Sequence, residues 1–266
     1  MSKRKYRQLE LFDVDIADPF LEGIIWGAIP LSALSPDERT LFWDYAVSET
    51  TPRQKATMAI SLILEEMWNS FITLKERLET IGYEFASPPR IVGPIETDHE
   101  QTIQRIEASL GKIPLALSLF YKLIGQLDFR MSSRQLAQGG NEQVQWLCTQ
   151  DPIVIFSLEQ LASQVTPSSP TIRFCFSPDE VIKAGSSGGE SYHFNLPAPT
   201  DKDFLLDPIG MYNVPETFLQ HLSRCLRGGG FRGECVLAPD GISILRPVAS
   251  SKLIDDLTAG LPLWPT

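Results

Sequence analysis

The stretch Asp151-Pro-Ile-Val-Ile-Phe-Ser-Leu-Glu-Gln-Leu-Ala-Ser-Gln-Val165 changes its period in the middle. Its first six residues form a short apolar run, which reads as a buried strand. From Ser157 to Val165 the apolar positions follow helical spacing. The segments that follow keep switching in the same way. Thr171-Ile-Arg-Phe-Cys-Phe alternates like a strand, and Glu190-Ser-Tyr-His-Phe-Asn-Leu-Pro does so again. Pro215 to Arg227 carries Phe218, Leu219, Leu222, Cys225 and Leu226 on one helical face. Cys235-Val-Leu-Ala and Ile242-Ser-Ile-Leu flank Pro239-Asp240-Gly241, a hairpin turn signal, and Ser250 to Ala259 reads as a last short helix. About five short strands mixed with helices on no regular strand–helix–strand schedule predict an α+β fold rather than a doubly wound sheet.

Upstream, the pattern is helical. Residues 1–30 read as irregular, with apolar spots at Leu9, Leu11, Phe12 and Ile16. Ser35-Pro36-Asp37-Glu38 opens a helix to about Val47, because Ser35 can cap, Pro36 suits the first turn and Glu38 completes a capping box. After Thr51-Pro52, apolar residues at 56, 59, 60, 63, 67, 71, 74, 78 and 81 form one stripe ended by Gly82. This predicts one long helix, about 45 Å at 1.5 Å per residue. Leu62, Leu64 and Trp68 widen its apolar face, so it needs more than one partner surface. That partner is the rest of the chain or, in a homodimer, the same helix of a second copy. Ser87-Pro88-Pro89 and Gly93-Pro94 mark a boundary. The expected organisation is a helical extension over residues 1–95 and an α+β domain over residues 97–266. In the latter, Thr97 or Asp98 starts a helix closed by Gly111, and Pro114 starts another closed by Gly125.

Composition narrows the function classes. The chain has 266 residues, 43% hydrophobic and 21% charged, as in ordinary globular proteins. Lys plus Arg is 23 against 33 Asp plus Glu, a net charge of −10. Such an acidic field argues against direct nucleic-acid binding and favours basic partners. The four cysteines and three histidines show no metal-ligand spacing, so neither a metal nor a cofactor is expected. The cysteines read as mostly buried thiols of a reducing compartment. Apolar runs fall far short of the ~20 residues that span a bilayer. The expectation is a cytoplasmic protein without a membrane contact.

Several motifs fit chemistry in spelling only. Gly185-Ser186-Ser187-Gly188-Gly189 matches a nucleophile elbow, and Ser187, Asp203 or Asp207, and His221 follow in hydrolase order. An elbow needs a strand before the serine and a helix after it, whereas here a strand follows at once. Gly228-Gly229-Gly230-Phe231-Arg232-Gly233 contains a dinucleotide-loop spelling, but it follows a helix instead of opening one. It reads as a helix end, with Gly228 in the left-handed closing position, and with Phe231 and Arg232 as the exposed features of a tight turn. His221 reads as lying near the solvent face of its helix, and Asp201, Asp203 and Asp207 as a solvated loop. Gln8-Leu9-Glu10-Leu11-Phe12 looks like the linear motif by which bacterial proteins dock on the DNA sliding clamp, with Leu11 and Phe12 as anchors and Gln8 setting register. The same residues could cover the protein's own core.

Three segments resemble the SUKH superfamily, the group of yeast cell-wall-assembly regulators and bacterial immunity proteins. They are Gly111 to Phe129, Asp151 to Phe156, and the pair Lys183–Tyr192 and Phe218–Gly233. The last pair is similar to a bacterial branch, with Gly185 replacing an asparagine, Gly228 a tryptophan and Arg232 a proline. The resemblance spans about residues 97–250. It implies a twisted, mostly antiparallel sheet with packed helices, no shared catalytic residues, and a role in binding a partner protein. The expected function is therefore a non-catalytic protein-binding or regulatory module, one form being an immunity-type protein that neutralises a basic toxin. The expected contact surface is Ser186, Ser187, Gly188, Gly189 and Glu190 with Phe231 and Arg232. The rival readings are a hydrolase using Ser187 and His221, and a clamp-associated accessory protein acting through Gln8 to Phe12.

Overall fold

A computed structural model describes residues 19–86, 98–148, 150–165, 172–177, 192–198, 200–206, 216–237, 243–246 and 251–266. Within them the chain begins with α1 (Pro19–Ile25), a 3-10 turn (Leu31–Ala33), α2 (Pro36–Val47) and α3 (Arg53–Thr80). Next come α4 (Asp98–Leu110), α5 (Leu115–Leu123), β1 (Leu127–Asp128), α6 (Ser133–Gln138) and α7 (Glu142–Leu147). The remainder is β2 (Gln150–Pro152), β3 (Val154–Ile155), α8 (Leu158–Ser163), β4 (Ile172–Ser177), β5 (Tyr192–Leu196), α9 (Phe218–Arg227), β6 (Phe231–Leu237), β7 (Ser243–Arg246) and α10 (Lys252–Thr258). The class is α+β, and all described strand pairs are antiparallel.

The strands form three small sheets in place of one: β1–β3, β2–β6–β7 and β4–β5. The apolar run after Asp151 explains part of this. Ile153 splits it, donating its N–H to Gly230 O at 2.9 Å while Phe129 N–H donates to Ile153 O at 3.0 Å. One continuous run therefore serves two sheets. Three helices were not expected. α1 lies in the stretch read as irregular, and α6 and α7 flank the Gly139-Gly140 turn. Both of the latter carry side-chain caps: Ser132 accepts from Gln135 N–H, and Asn141 accepts from Val144 N–H. The capping box at Ser35 and Glu38 is present as expected.

The long stripe organises the core. Ala56, Ala59, Ile60, Ile63, Leu64, Met67, Phe71, Leu74 and Leu78 of α3 are all fully buried. They are covered from within the chain, by α1, α2, α5, α9 and α10. The core they start is continuous from Leu21 to Trp264. The N-terminal helices therefore share one apolar interior with residues 98–266. Polar ties cross the same seam. Arg53 pairs with Asp201, and Lys202 donates its Nζ–H to Ser48 O. The Asp201 and Lys202 carbonyls in turn accept from the first N–H groups of α5, at 2.9 and 2.8 Å, where Pro114 offers no side-chain cap. At the centre, Phe71 meets Phe129 edge-on at 5.7 Å, and Phe129 meets Phe85 at 5.5 Å.

Phe71→Ala should destabilise the protein by about 3–5 kcal/mol, because it removes a buried ring from the middle of the axis helix. Urea denaturation measures it, and a loss below about 1 kcal/mol would show that α3 is not the centre of the core.

Candidate functional site

Among the described residues, the densest cluster of titratable groups is built around α9. Thr217 caps this helix in a capping box with Gln220. Glu216 immediately precedes the cap, so its carboxylate lies beside the first turns. His221, Arg224 and Cys225 follow at helical spacing. The chain then turns through Gly228-Gly229-Gly230 and enters β6 at Phe231, which brings Arg232 back to Glu216. The turn depends on glycine at its second and third positions, where φ is +70° and +100°. A Cβ on Gly230 would stand 2.7 Å from the Phe129 ring, and one on Gly229 would stand 3.1 Å from Ile254. Gly228 itself has φ −88°, so the left-handed positions lie one and two residues beyond the one expected.

Glu216 is the hub. Its Oε1 accepts from Arg232 Nε–H at 2.9 Å and lies 3.1 Å from His221 Nδ1. Arg224 Nε lies 3.0 Å from Oε2 as an ion pair out of hydrogen-bond alignment. Residue exposure is 4% for Glu216, 1% for His221 and 7% for Arg232, so these charges operate away from water. Burial opposes ionisation of Glu216. The His221 hydrogen bond and the two guanidinium groups outweigh it and pull the carboxyl down to about 2. Burial likewise pushes His221 below its usual range, with the positive charge of Arg232 in support and Glu216 and Asp151 in opposition. His221 is therefore neutral at pH 7. Its Nδ1–H donates to Glu216, and its Nε2 faces Cys225 Sγ at 3.8 Å.

A thiol, an imidazole and a carboxylate thus stand in a line, the order that activates a thiol in nucleophilic catalysis. The surroundings do not suit that chemistry. Cys225 is fully buried, and α9 packs against α3, α5, β6 and α10. Among the described residues these elements cover the sulfur. The cluster instead fastens β6 to α9 by matched charge.

A second buried carboxylate lies at the start of α9. Asp203 Oδ1 accepts from Phe204 N–H at 2.9 Å and from Leu219 N–H at 3.4 Å. Its Oδ2 is buried without a hydrogen bond. Burial dominates over these donors and raises its carboxyl to about 6.

The expected site residues fare unevenly. Gln8, Leu9, Leu11, Phe12, Ser186, Ser187, Gly188, Gly189, Glu190 and Asp207 lie outside the described residues. Phe231 and Arg232, expected as exposed turn features, are buried: the first is a strand residue beneath Tyr83, and the second is bound to Glu216. His221 is buried and not on a solvent face, because α9 is enclosed by elements on several sides. Asp203 is buried rather than solvated, while Asp201 is half exposed and tied to Arg53. Sequence reasoning missed the Glu216 hub. The readable signal was an acid just before a capping box with His, Arg and Cys in the helix that follows. Among the described residues no group of three His, Cys, Asp or Glu side chains could hold a metal ion, and no helix is long and apolar enough to cross a membrane.

Two outcomes follow for these carboxylates. Glu216→Gln removes the buried carboxylate shared by His221, Arg224 and Arg232 and should cost about 3–5 kcal/mol of stability at pH 7 in urea denaturation; a neutral effect would contradict the hub. For Asp203 the folded value of about 6 stands above the ordinary 3.8, so its ionisation favours the unfolded chain. Its contribution declines as pH rises from about 4 to 6 and stays about 3 kcal/mol lower above that. Asp203→Asn, which keeps an acceptor oxygen, should therefore raise the melting temperature at pH 8 and leave it little changed at pH 4. Destabilisation of equal size at both pH values would contradict this account.

No family model matches the chain, and no curated protein and no solved structure matches it significantly.

Proposed function

We propose that this protein is a non-catalytic binding module for a basic partner protein. The observation that carries the reading is the outer face of α2. Leu41 is 50% exposed at the middle of that face. Asp37 and Glu38 stand one turn before it, and Asp44 stands one turn after it. The helix's own arginine does not offset them. Arg39 is turned inward, where its guanidinium bonds Glu66 and Leu31 O. Tyr45, one turn beyond Leu41, has its hydroxyl pushed up first by burial and then by the charge of Glu22 on α1, and Trp26 follows Glu22 by one turn with 57% of its surface exposed. An exposed apolar residue flanked by acids that no cation pairs with among the described residues suits a surface rich in lysine and arginine.

The buried state of the Glu216 cluster supports the same reading, since its charges are paired within the fold. The resemblance to the SUKH superfamily is in keeping with a role in holding another protein. Neutralisation of a basic toxin is one form such a role would take. The acidic net charge would speed encounter with that kind of partner and would make binding weaken as salt rises.

The test is a paired capture from native extract, using the wild-type chain and a Leu41→Ala, Asp44→Lys variant of unchanged melting temperature. The account expects a basic protein retained at low salt by the wild type, released as salt is raised, and lost from the variant. A partner held equally by both chains would remove α2 from the interface.

A further inference from the structure

Residues 260–266 have no regular secondary structure, yet they carry the largest fully buried side chain among those described, Trp264. Its indole fills a slot between α2 and α9. Phe42 lies 6.4 Å and Trp43 6.1 Å from it, ring centre to ring centre, and the Arg39 guanidinium sits 4.9 Å above the ring. Its carbonyl is held by α9, accepting from Ser223 Oγ–H at 2.8 Å and from Arg227 at 3.1 Å (Nε) and 2.6 Å (Nη2). The slot therefore supplies an aromatic wall, a cation over the ring face, and three donors aimed at one backbone carbonyl. These are the elements of a peptide-recognition site.

Trp264 is the segment's only fully buried residue, with Leu261 packed at the edge of the core. Leu261 N–H donates to Thr258 O, and Leu263 is 40% exposed. No sheet ladder joins 260–266 to a neighbour among the described residues. The Trp264 indole Nε1–H is buried without a partner, so the occupant is not fully matched to its slot. Gly260, at φ +70° with open space around its Cα, sits where the segment leaves α10. Lifting the segment would break bonds to one carbonyl and uncover the inner side of α2, while α10 stays fixed through Arg77 Nη1–H to Leu257 O at 2.6 Å.

We propose that the α2–α9 slot is a binding site for a tryptophan-bearing peptide segment, and that residues 260–266 occupy it as an exchangeable strap. The ligand class follows from the slot: an indole for the aromatic wall and Arg39, with its own carbonyl facing Ser223 and Arg227. The proposal is independent of the reading of the outer face of α2, since it concerns the opposite side of that helix.

The test uses the full chain carrying Trp264→Ala and a labelled nine-residue peptide with the sequence of residues 258–266. Fluorescence anisotropy should show saturable binding to the variant and at least about tenfold weaker binding to the wild type, whose own segment competes at high effective concentration. A peptide with alanine in place of its tryptophan should not bind. A folded variant that fails to bind the peptide would overturn the proposal, as would equal binding by wild type and variant. If Trp264→Ala unfolds the chain, the peptide should restore its far-UV circular dichroism and a cooperative melt, and failure to do so would overturn the proposal equally.

Discussion

The constraint on which the structure depends is the apolar face of α3. Nine of its side chains, from Ala56 to Leu78, are completely withdrawn from water. A helix with a face that wide is not satisfied by one neighbour, and here five helices converge on it. The short strands could not build a core of their own, since the largest sheet among the described residues has three strands. They form a cap on the helical assembly, joined to it through Phe129, Phe231 and α9. The N-terminal helices are in this sense the foundation of the later α+β part.

Burial on that scale explains the polar chemistry. Once α9 is enclosed, any ionisable group on it must be matched or neutral. Glu216 is matched by Arg232 and Arg224, and His221 loses its charge. Asp203 is the exception, a buried carboxylate with one oxygen unpaired and a raised pKa. The same enclosure buries the Cys225, His221 and Glu216 line among the described residues. What faces solvent is different in kind: acids around Leu41, and Trp26 beyond them.

Much of the helical framework was legible in the sequence, because stripe and cap agreed. Ser35-Pro36-Asp37-Glu38 before α2, the long run of threes and fours in α3, and Gly111 after α4 each carry two independent signals. α1 was not read, although Asp18-Pro19 spells a helix start like Ser35-Pro36, because seven residues are too few to carry a stripe that backs the signal. α6 and α7 are short and polar, and only their caps at Ser132 and Asn141 announced them. The site was less readable for a physical reason. Placing His221 toward solvent assumed that a helix with one apolar face is buried on one side only. α9 is packed on several sides, so its polar residues face β6 and Glu216 instead. Phe231 and Arg232 were misplaced by the same step, because a glycine turn that looked external leads straight into a central strand.

The central claim is that the helices of residues 19–80 and the α+β part of residues 98–266 form one cooperative unit around α3. Urea unfolding followed in parallel by far-UV circular dichroism and tryptophan fluorescence tests it most directly, since Trp43 and Trp68 report from the helical side, Trp146 from the other and Trp264 from the junction between them. The account predicts coincident single transitions. Two separated transitions, with one set of elements surviving the loss of the other, would contradict it.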